Sequence, residues 1–434
     1  MILISLRRLP AAICVALIVS RSATAAAQAS SSATLSLRDV LDSVRATLPT
    51  IRAAESRVRA AAGARTTAGL PANPMVSYQV DQTPFPNGRA LPADMSREGM
   101  TMATVPLEFL YQRGPRVSRA NADVRAAEAD ASAARQQAGL DAVAAFYATA
   151  LAQTRVETTG DLANWLDSLV TYNRSRVNEG AAAEADLIRT SLERDRVRAE
   201  LTMREAELAR SRASLAAFVF DDPNRGTIAV AVPRGPLAIP TLTSTTRPNV
   251  RAASERLAAS SAAVTGERTM ILRQLGATIG TMQTMGTTSM VAGLSLPLPI
   301  FDQNRGEIRR AGAERDAARF ELAREKRAAA SELRAATDAA MLLTARMTEL
   351  AAGDSSSFLA RADESRSIAL GAYQEGAVPL YQVIDAARAW SDARNTYYET
   401  LFAQHQSVFA LVVANGADLF TMISSTPALG ETPR

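Results

Sequence analysis

Two long stretches without proline, Arg116 to Asp222 and Ile300 to Val378, constrain this chain more than any other feature. Proline breaks helix interiors, so both stretches are free to carry helices far longer than the usual dozen residues. A helix from Arg116 to Asn178 would run about 95 Å, and one from Gly306 to Glu375 about 105 Å. Rods of this length need a partner along their whole length, which implies coiled-coil or helical-barrel packing. Leu201, Leu208 and Leu215 recur every seven residues, as such a seam requires. Each rod is expected to stop at a glycine, in Glu179-Gly180 or Glu375-Gly376, because glycine tolerates the positive φ of a helix C-terminus. A second helix then runs back, Glu184 to Phe218 in one case and Pro379 to Ala414 in the other.

The two hairpins belong to one duplicated plan. Leu48-Pro49-Thr50-Ile51-Arg52-Ala53-Ala54 is echoed by Arg247-Pro248-Asn249-Val250-Arg251-Ala252-Ala253. Val105-Pro106-Leu107 is echoed by Leu296-Pro297-Leu298, and Glu179-Gly180-Ala181 by Glu375-Gly376-Ala377. Offsets of roughly 190 to 200 residues mark duplication of one large unit, not a solenoid of short repeats. The expected organisation is a first repeat over 35–220, a Pro- and Thr-rich linker over 221–249, a second repeat over 250–419 and a tail over 420–434.

Four short strands are expected between the helices. Val76, Tyr78 and Val80 alternate with Ser77, Gln79 and Asp81, Ala103, Val105, Leu107 and Phe109 with Met102, Thr104 and Glu108, and Met290, Ala292, Leu294 and Leu296 with Val291, Gly293 and Ser295; Thr278 to Gln283 is the fourth. Period-two alternation fits a strand with one face toward lipid and the other toward water. A sheet in lipid has no open edge, and four strands do not close around a pore. Two chains would supply eight strands and three would supply twelve; the pattern itself does not choose. A two-stranded hairpin on a soluble domain is the plainer alternative.

The N-terminus reads as an export signal over 1–27. Arg7 and Arg8 precede an apolar stretch from Ala11 to Ser20, followed by Ala23, Ala25, Ala26 and Ala27, with cleavage expected between Ala25 and Ala29. Without it, loss of Arg7, Arg8 and Arg21 takes the basic count from 48 to 45 against 44 acids, so the formal charge falls from +4 to +1. With the charges interspersed, this excludes a nucleic-acid binder. Cys14, the only cysteine, lies in the signal behind Ile13, so neither lipidation nor a disulfide is expected. No apolar run is long enough for a transmembrane helix.

Catalysis finds no footing. His405 is the only histidine and reads as a polar residue on its helix. There is no His-based triad, no multi-histidine metal site and no phosphate-binding loop, so no enzyme activity, cofactor or metal site is expected.

The order of helix, strand pair and long hairpin, given twice, resembles the TolC-like outer-membrane efflux proteins. The junction Leu296-Pro297-Leu298-Pro299-Ile300-Phe301-Asp302-Gln303-Asn304-Arg305-Gly306-Glu307-Ile308 is most similar to the branch serving heavy-metal cation pumps of the resistance-nodulation-division type. The resemblance implies a mainly α fold with four transmembrane β-strands per chain, a homotrimer with a twelve-stranded barrel in outer-membrane lipid, and a periplasmic helical tunnel. It also implies a periplasmic adaptor and an inner-membrane pump as partners, with passive conduction of metal cations or drugs. The two hairpin turns are then the tips that meet the adaptor, at Arg176, Gly180 and Ala181 and at Gly376, Ala377 and Val378. Asp186 and Asp385 are gate candidates, as rings of three carboxylates at a constriction. In the family an aspartate six residues past the second tip glycine helps form that constriction; here the place is held by Gln382. The rival readings are a type I protein-secretion duct of the same fold and a soluble periplasmic coiled-coil adaptor.

Overall fold

A computed structural model describes residues 34–81, 98–220, 228–243, 245–272, 275–284, 286–351 and 357–425. The expected export signal and Cys14 lie outside the described residues. The first repeat holds α2 (Pro49–Gly69), β2 (Met75–Asp81), β3 (Glu98–Pro106), α3 (Arg113–Asn178) and α4 (Glu184–Val219). The second holds α5 (Pro248–Thr269), β5 (Gly276–Thr284), β6 (Thr287–Ser295), α6 (Arg305–Ala351), α7 (Phe358–Gln374) and α8 (Leu380–Ala414). A short strand β1 (Thr34–Leu35) and helix α1 (Leu37–Thr47) precede the first repeat, β4 (Ala229–Val230) lies between the two, and α9 (Leu419–Ser425) crosses the boundary expected at Leu419.

The first rod is one helix of 66 residues, about 100 Å long. The second is not continuous, which corrects the single helix expected from Gly306 to Glu375: α6 ends at Ala351 and α7 starts afresh at Phe358. Ser357 explains the restart, since its hydroxyl accepts the Ala360 N–H at 3.2 Å as an N-cap.

The strands form one antiparallel sheet in the order β2-β3-β5-β6, with β2 and β6 at its free edges. β3 stops at Pro106, so Leu107 and Phe109 are not strand residues as expected; Glu108–Leu110 form a 3₁₀ turn instead. Proline has no N–H to continue the ladder. The register places Val76, Tyr78, Ala103, Val105, Ile279, Ala292 and Leu294 on one face, and this face is exposed. Ser77, Gln79, Thr104, Thr278, Ser289 and Ser295 share the opposite face. The junction after β6 is held by Asn304 at φ 56°, whose amide donates to the Glu267 carbonyl at 2.7 Å and carboxylate at 2.9 Å. This ties the start of α6 to the end of α5.

The core has two parts. Midway along the rods, Val40, Leu41 and Val44 of α1 pack with Phe146 and Tyr147 of α3, Leu215 of α4 and Phe402 and Phe409 of α8. Nearer the hairpin turns, Leu162, Leu166 and Leu169 of α3 meet Val197 of α4 and Val383 and Trp390 of α8. Of the leucine heptad, Leu208 and Leu215 are buried and Leu201 is half-buried. By contrast α6 leaves Phe320, Met341 and Leu342 more than half exposed. This 47-residue helix therefore buries little surface within its own chain. Among the described residues, no helix is long and apolar enough to cross a membrane.

His405, expected as a polar residue on its helix, lies on α8 within the core, 2% exposed. Its Nε2–H donates to the Gly235 carbonyl at 2.8 Å, which leaves Nδ1 to accept the Tyr147 hydroxyl at 2.8 Å. Beside it Gln404 pairs with both backbone groups of Leu237, at 3.0 and 2.6 Å. Together they strap the inter-repeat segment to α8. Burial drives the His405 imidazole below its ordinary pKa.

Candidate functional site at the hairpin tips

α3 places the sheet and the first hairpin turn at opposite ends of the same rod. At that turn, Gly180 adopts φ 72°, its N–H donates to Val177 O at 3.0 Å, and Ala181 N–H donates to Arg176 O at 2.7 Å. The second turn repeats this: Gly376 has φ 76°, with Gly376 N–H to Tyr373 O at 3.0 Å and Ala377 N–H to Ala372 O at 2.8 Å. Both are Schellman closures, in which the left-handed glycine lets two terminal carbonyls find donors. Gly180, Ala181, Gly376 and Ala377 are exposed at the turns, and Val378 is half-buried.

Just inside the turns a polar relay joins the two hairpins. The Tyr373 hydroxyl of α7 donates to Asn173 Oδ1 of α3 at 2.8 Å. Asn173 Nδ2 donates to Thr190 Oγ1 of α4 at 2.9 Å, and Thr190 donates to the Asp186 carbonyl at 2.7 Å. Asn173 and Thr190 are fully buried, so these partners carry the whole of their hydrogen bonding in this place. Arg176 lies over Tyr172 and Tyr373, 5.7 and 5.6 Å from the ring centroids, and donates to Ala181 O at 3.2 Å. Burial, and then the nearby Asp186 charge, push the Tyr373 phenol upward, which keeps it a donor.

A second lock lies farther along the seam. The carboxylate of Glu193 on α4, 9% exposed, receives hydrogen bonds from the Nε and Nη2 of Arg388 of α8, from Arg196 Nη2 at 2.9 Å and from Arg196 Nε at 3.2 and 3.3 Å. Burial pushes the Glu193 carboxyl up, but the bonds and charges of Arg388 and Arg196 outweigh it and hold the pKa below its ordinary value. α7 is pinned by Trp390 of α8, whose Nε1–H donates to Asp363. The Arg366 guanidinium covers that indole at 3.9 Å and Arg394 approaches it at 5.0 Å.

The structure therefore gathers some of the expected site residues and separates others. Arg176 and Asp186 come together around Tyr373. Val378, Gln382 and Asp385 instead line an open groove between α7 and α8 with Ile368 and Ala372. Gln382 and Asp385 are exposed there. Asp186 and Gln382 each lie six residues past their glycine, so they hold equivalent places in the two repeats. Sequence reasoning missed Tyr373, Asn173, Thr190, Glu193 and Arg388. Asn173 carried a usable signal: a polar residue at helical spacing after Leu166, Leu169 and Val170. Among the described residues no group of His, Cys, Asp or Glu is placed to hold a metal.

No family model matches the sequence, and no curated protein does. Solved structures do match. CmeC, an outer-membrane channel of Campylobacter jejuni, is 17% identical with a TM-score of 0.75, covering 89% of this chain and 88% of its own. CusC, described in terms of transmembrane channel formation, is 16% identical with a TM-score of 0.74, covering 88% of this chain and 92% of its own. VceC, an outer-membrane protein of Vibrio cholerae, is 19% identical with a TM-score of 0.73, covering 88% and 96%. The chain has the fold of these outer-membrane channels, the TolC-like fold that its sequence resembles.

Proposed function

We propose that three copies of this chain form the outer-membrane exit duct of a tripartite export system. The observation that carries the reading is the sheet: four strands, two free edges, one exposed apolar face, set at the far end of the long α3 rod from the hairpin tips. Free edges in lipid cost several kcal/mol per unpaired group, so the sheet enters a membrane only when neighbouring copies close it. Three copies make a twelve-stranded barrel with the apolar face outward. The exposed apolar residues of α6 then face a neighbouring copy, and the rods continue the bore into the periplasm. The passage is passive, with energy and selectivity supplied by an inner-membrane pump through a periplasmic adaptor. Metal cations or drugs are the cargo.

The tips are the gate and the adaptor contact in this reading. Arg176, Gly180, Ala181, Gly376, Ala377 and Val378 present small groups and backbone to a partner's hairpins. The Tyr373–Asn173–Thr190 relay holds the two hairpins together in the closed state. Dilation requires breaking it, so adaptor contacts that favour the dilated form shift the population. Asp385, exposed in its groove, contributes a ring of three carboxylates.

Membrane fractionation with crosslinking tests the reading. Trimers in the outer membrane, and stepwise currents from purified protein in planar bilayers, are the expected result. A monomer in the periplasmic fraction overturns it in favour of the soluble adaptor.

A further inference from the structure

Four helix ends meet at one level beneath the sheet. Arg113 and Arg116 at the start of α3 donate to the Gly69, Ala68 and Leu70 carbonyls at the end of α2. Asn304, just before α6, donates to Glu267 near the end of α5. A Cβ on Gly266 of α5 would stand 3.7 Å from the Pro115 Cβ of α3. Around this level the surface is apolar. Phe301 is 99% exposed, and Leu70, Leu110, Leu298 and Ile300 are each more than half exposed. Leu70 precedes β2 and Leu298 follows β6, so the apolar rim runs from one edge strand to the other. A patch of this kind marks a contact with a partner or a membrane.

Charge indicates which. The four strands of the sheet hold no Lys, Arg or His, and their two acids, Asp81 and Glu98, pair at the end away from the helices. Basic charge begins where the sheet stops. Arg268, Arg305 and Arg309 are exposed and form no ion pair among the described residues. The acids nearby are engaged elsewhere: Glu108 pairs with Arg116, and Glu267 and Glu307 face Arg310. Arg305 and Arg309 lie one turn apart, four and eight residues beyond Phe301. Height agrees with this reading. β5 has nine residues, about 30 Å along the strand and about 23 Å upright at a tilt of about 40°. The apolar band of an outer-membrane barrel is about 25 Å tall. The rim therefore falls at the headgroup layer.

We propose that this collar docks on anionic phospholipid headgroups. Leu298, Ile300 and Phe301 enter the acyl boundary, and Arg268, Arg305 and Arg309 hold the phosphates below them. Guanidinium matches a phosphate with two parallel hydrogen bonds, and aromatic side chains favour the membrane boundary. A second copy could cover the apolar rim, but it brings the same surplus of arginine, so charge favours lipid phosphate. The inference rests on the duct reading, since the sheet must lie in lipid for its rim to reach the headgroups.

The test places the full-length protein in mixed vesicles of phosphatidylcholine and phosphatidylglycerol and measures which lipid it gathers. Wild type is expected to prefer phosphatidylglycerol. Combined Arg268→Gln, Arg305→Gln and Arg309→Gln replacement should weaken that preference about tenfold or more. Arg251→Gln, Arg327→Gln and Arg334→Gln together remove equal charge about 25 Å or more down the helices, and should leave it unchanged. Added glycerol phosphate should not displace the lipid; displacement would make this a site for free phosphate and overturn the docking. Phe301→Trp gives a second readout. Its emission should be quenched by lipids brominated near the top of the acyl chain, whereas an unquenched indole means that another copy covers the rim and overturns the proposal. Equal lipid preference in the collar variant and wild type also overturns it. Bilayer currents separate the two readings. A conducting wild type without lipid preference sinks the collar and keeps the duct. A wild type that enters vesicles of neither lipid sinks the duct, and the collar with it.

Discussion

Tyr373→Phe removes one hydroxyl from the relay at the tips and leaves its ring against Tyr172 and Arg176. Asn173 Oδ1, fully buried, then loses its donor. An unpaired buried acceptor costs about 1–3 kcal/mol. At 1.4 kcal/mol per decade, the equilibrium between joined and separated hairpins shifts about 5- to 150-fold toward separation. Hydrogen exchange reads this without assuming a pore. Amides of 173–190 and 373–384 are expected to lose protection by that factor, while amides around Tyr147 and His405 keep theirs. In bilayers the same variant is expected to raise the open-to-closed ratio. Asn173→Leu exposes the other half of the bond, and the double variant removes both halves. A double-mutant cycle should return a coupling of about 0.5–3 kcal/mol. Additive single effects, or unchanged exchange at the tips in Tyr373→Phe, would refute the relay as the element that joins the hairpins.

Five further outcomes are expected. Gly180→Ala should lower thermal stability by about 1–2 kcal/mol through backbone strain alone, because nothing lies within 4 Å of the added Cβ. Gly416→Ala should cost more, since its φ is +85° and the new Cβ would meet Thr245 O at 2.5 Å. Arg388→Ala should cost about 1.5–3 kcal/mol at neutral pH, toward the lower end because Arg196 still serves Glu193. The folded Glu193 pKa is depressed, so this stabilisation is full above the ordinary value of 4.5 and is lost as pH falls through the lowered folded value. The urea midpoints of variant and wild type should therefore converge below that pH. His405 has the opposite charge logic: its folded pKa is lowered, so only the unfolded chain takes up a proton as pH falls below 6.5, and stability drops there. His405→Gln should flatten that part of a stability-against-pH curve. Asp385→Ala should raise single-channel conductance or weaken cation block, and unchanged currents would exclude it from the gate.

Much of the architecture was written in short-range signals. Proline spacing bounded the α3 rod, Gly180 marked its end and Gly376 that of α7, and alternation found β2 and β6, because each depends on one residue's own backbone or on its nearest neighbours. The order of helix, strand pair and long hairpin, read from the sequence, occurs twice among the described elements. It did not reveal the restart at Ser357, a capping serine inside a stretch without proline. The sheet order β2-β3-β5-β6 and the relay depended on the folded chain. Tyr373 and Asn173 are 200 residues apart, and Glu193 and Arg388 are 195 apart. Their partnership is set by how two rods settle side by side, a matter of packing distances that no local periodicity encodes.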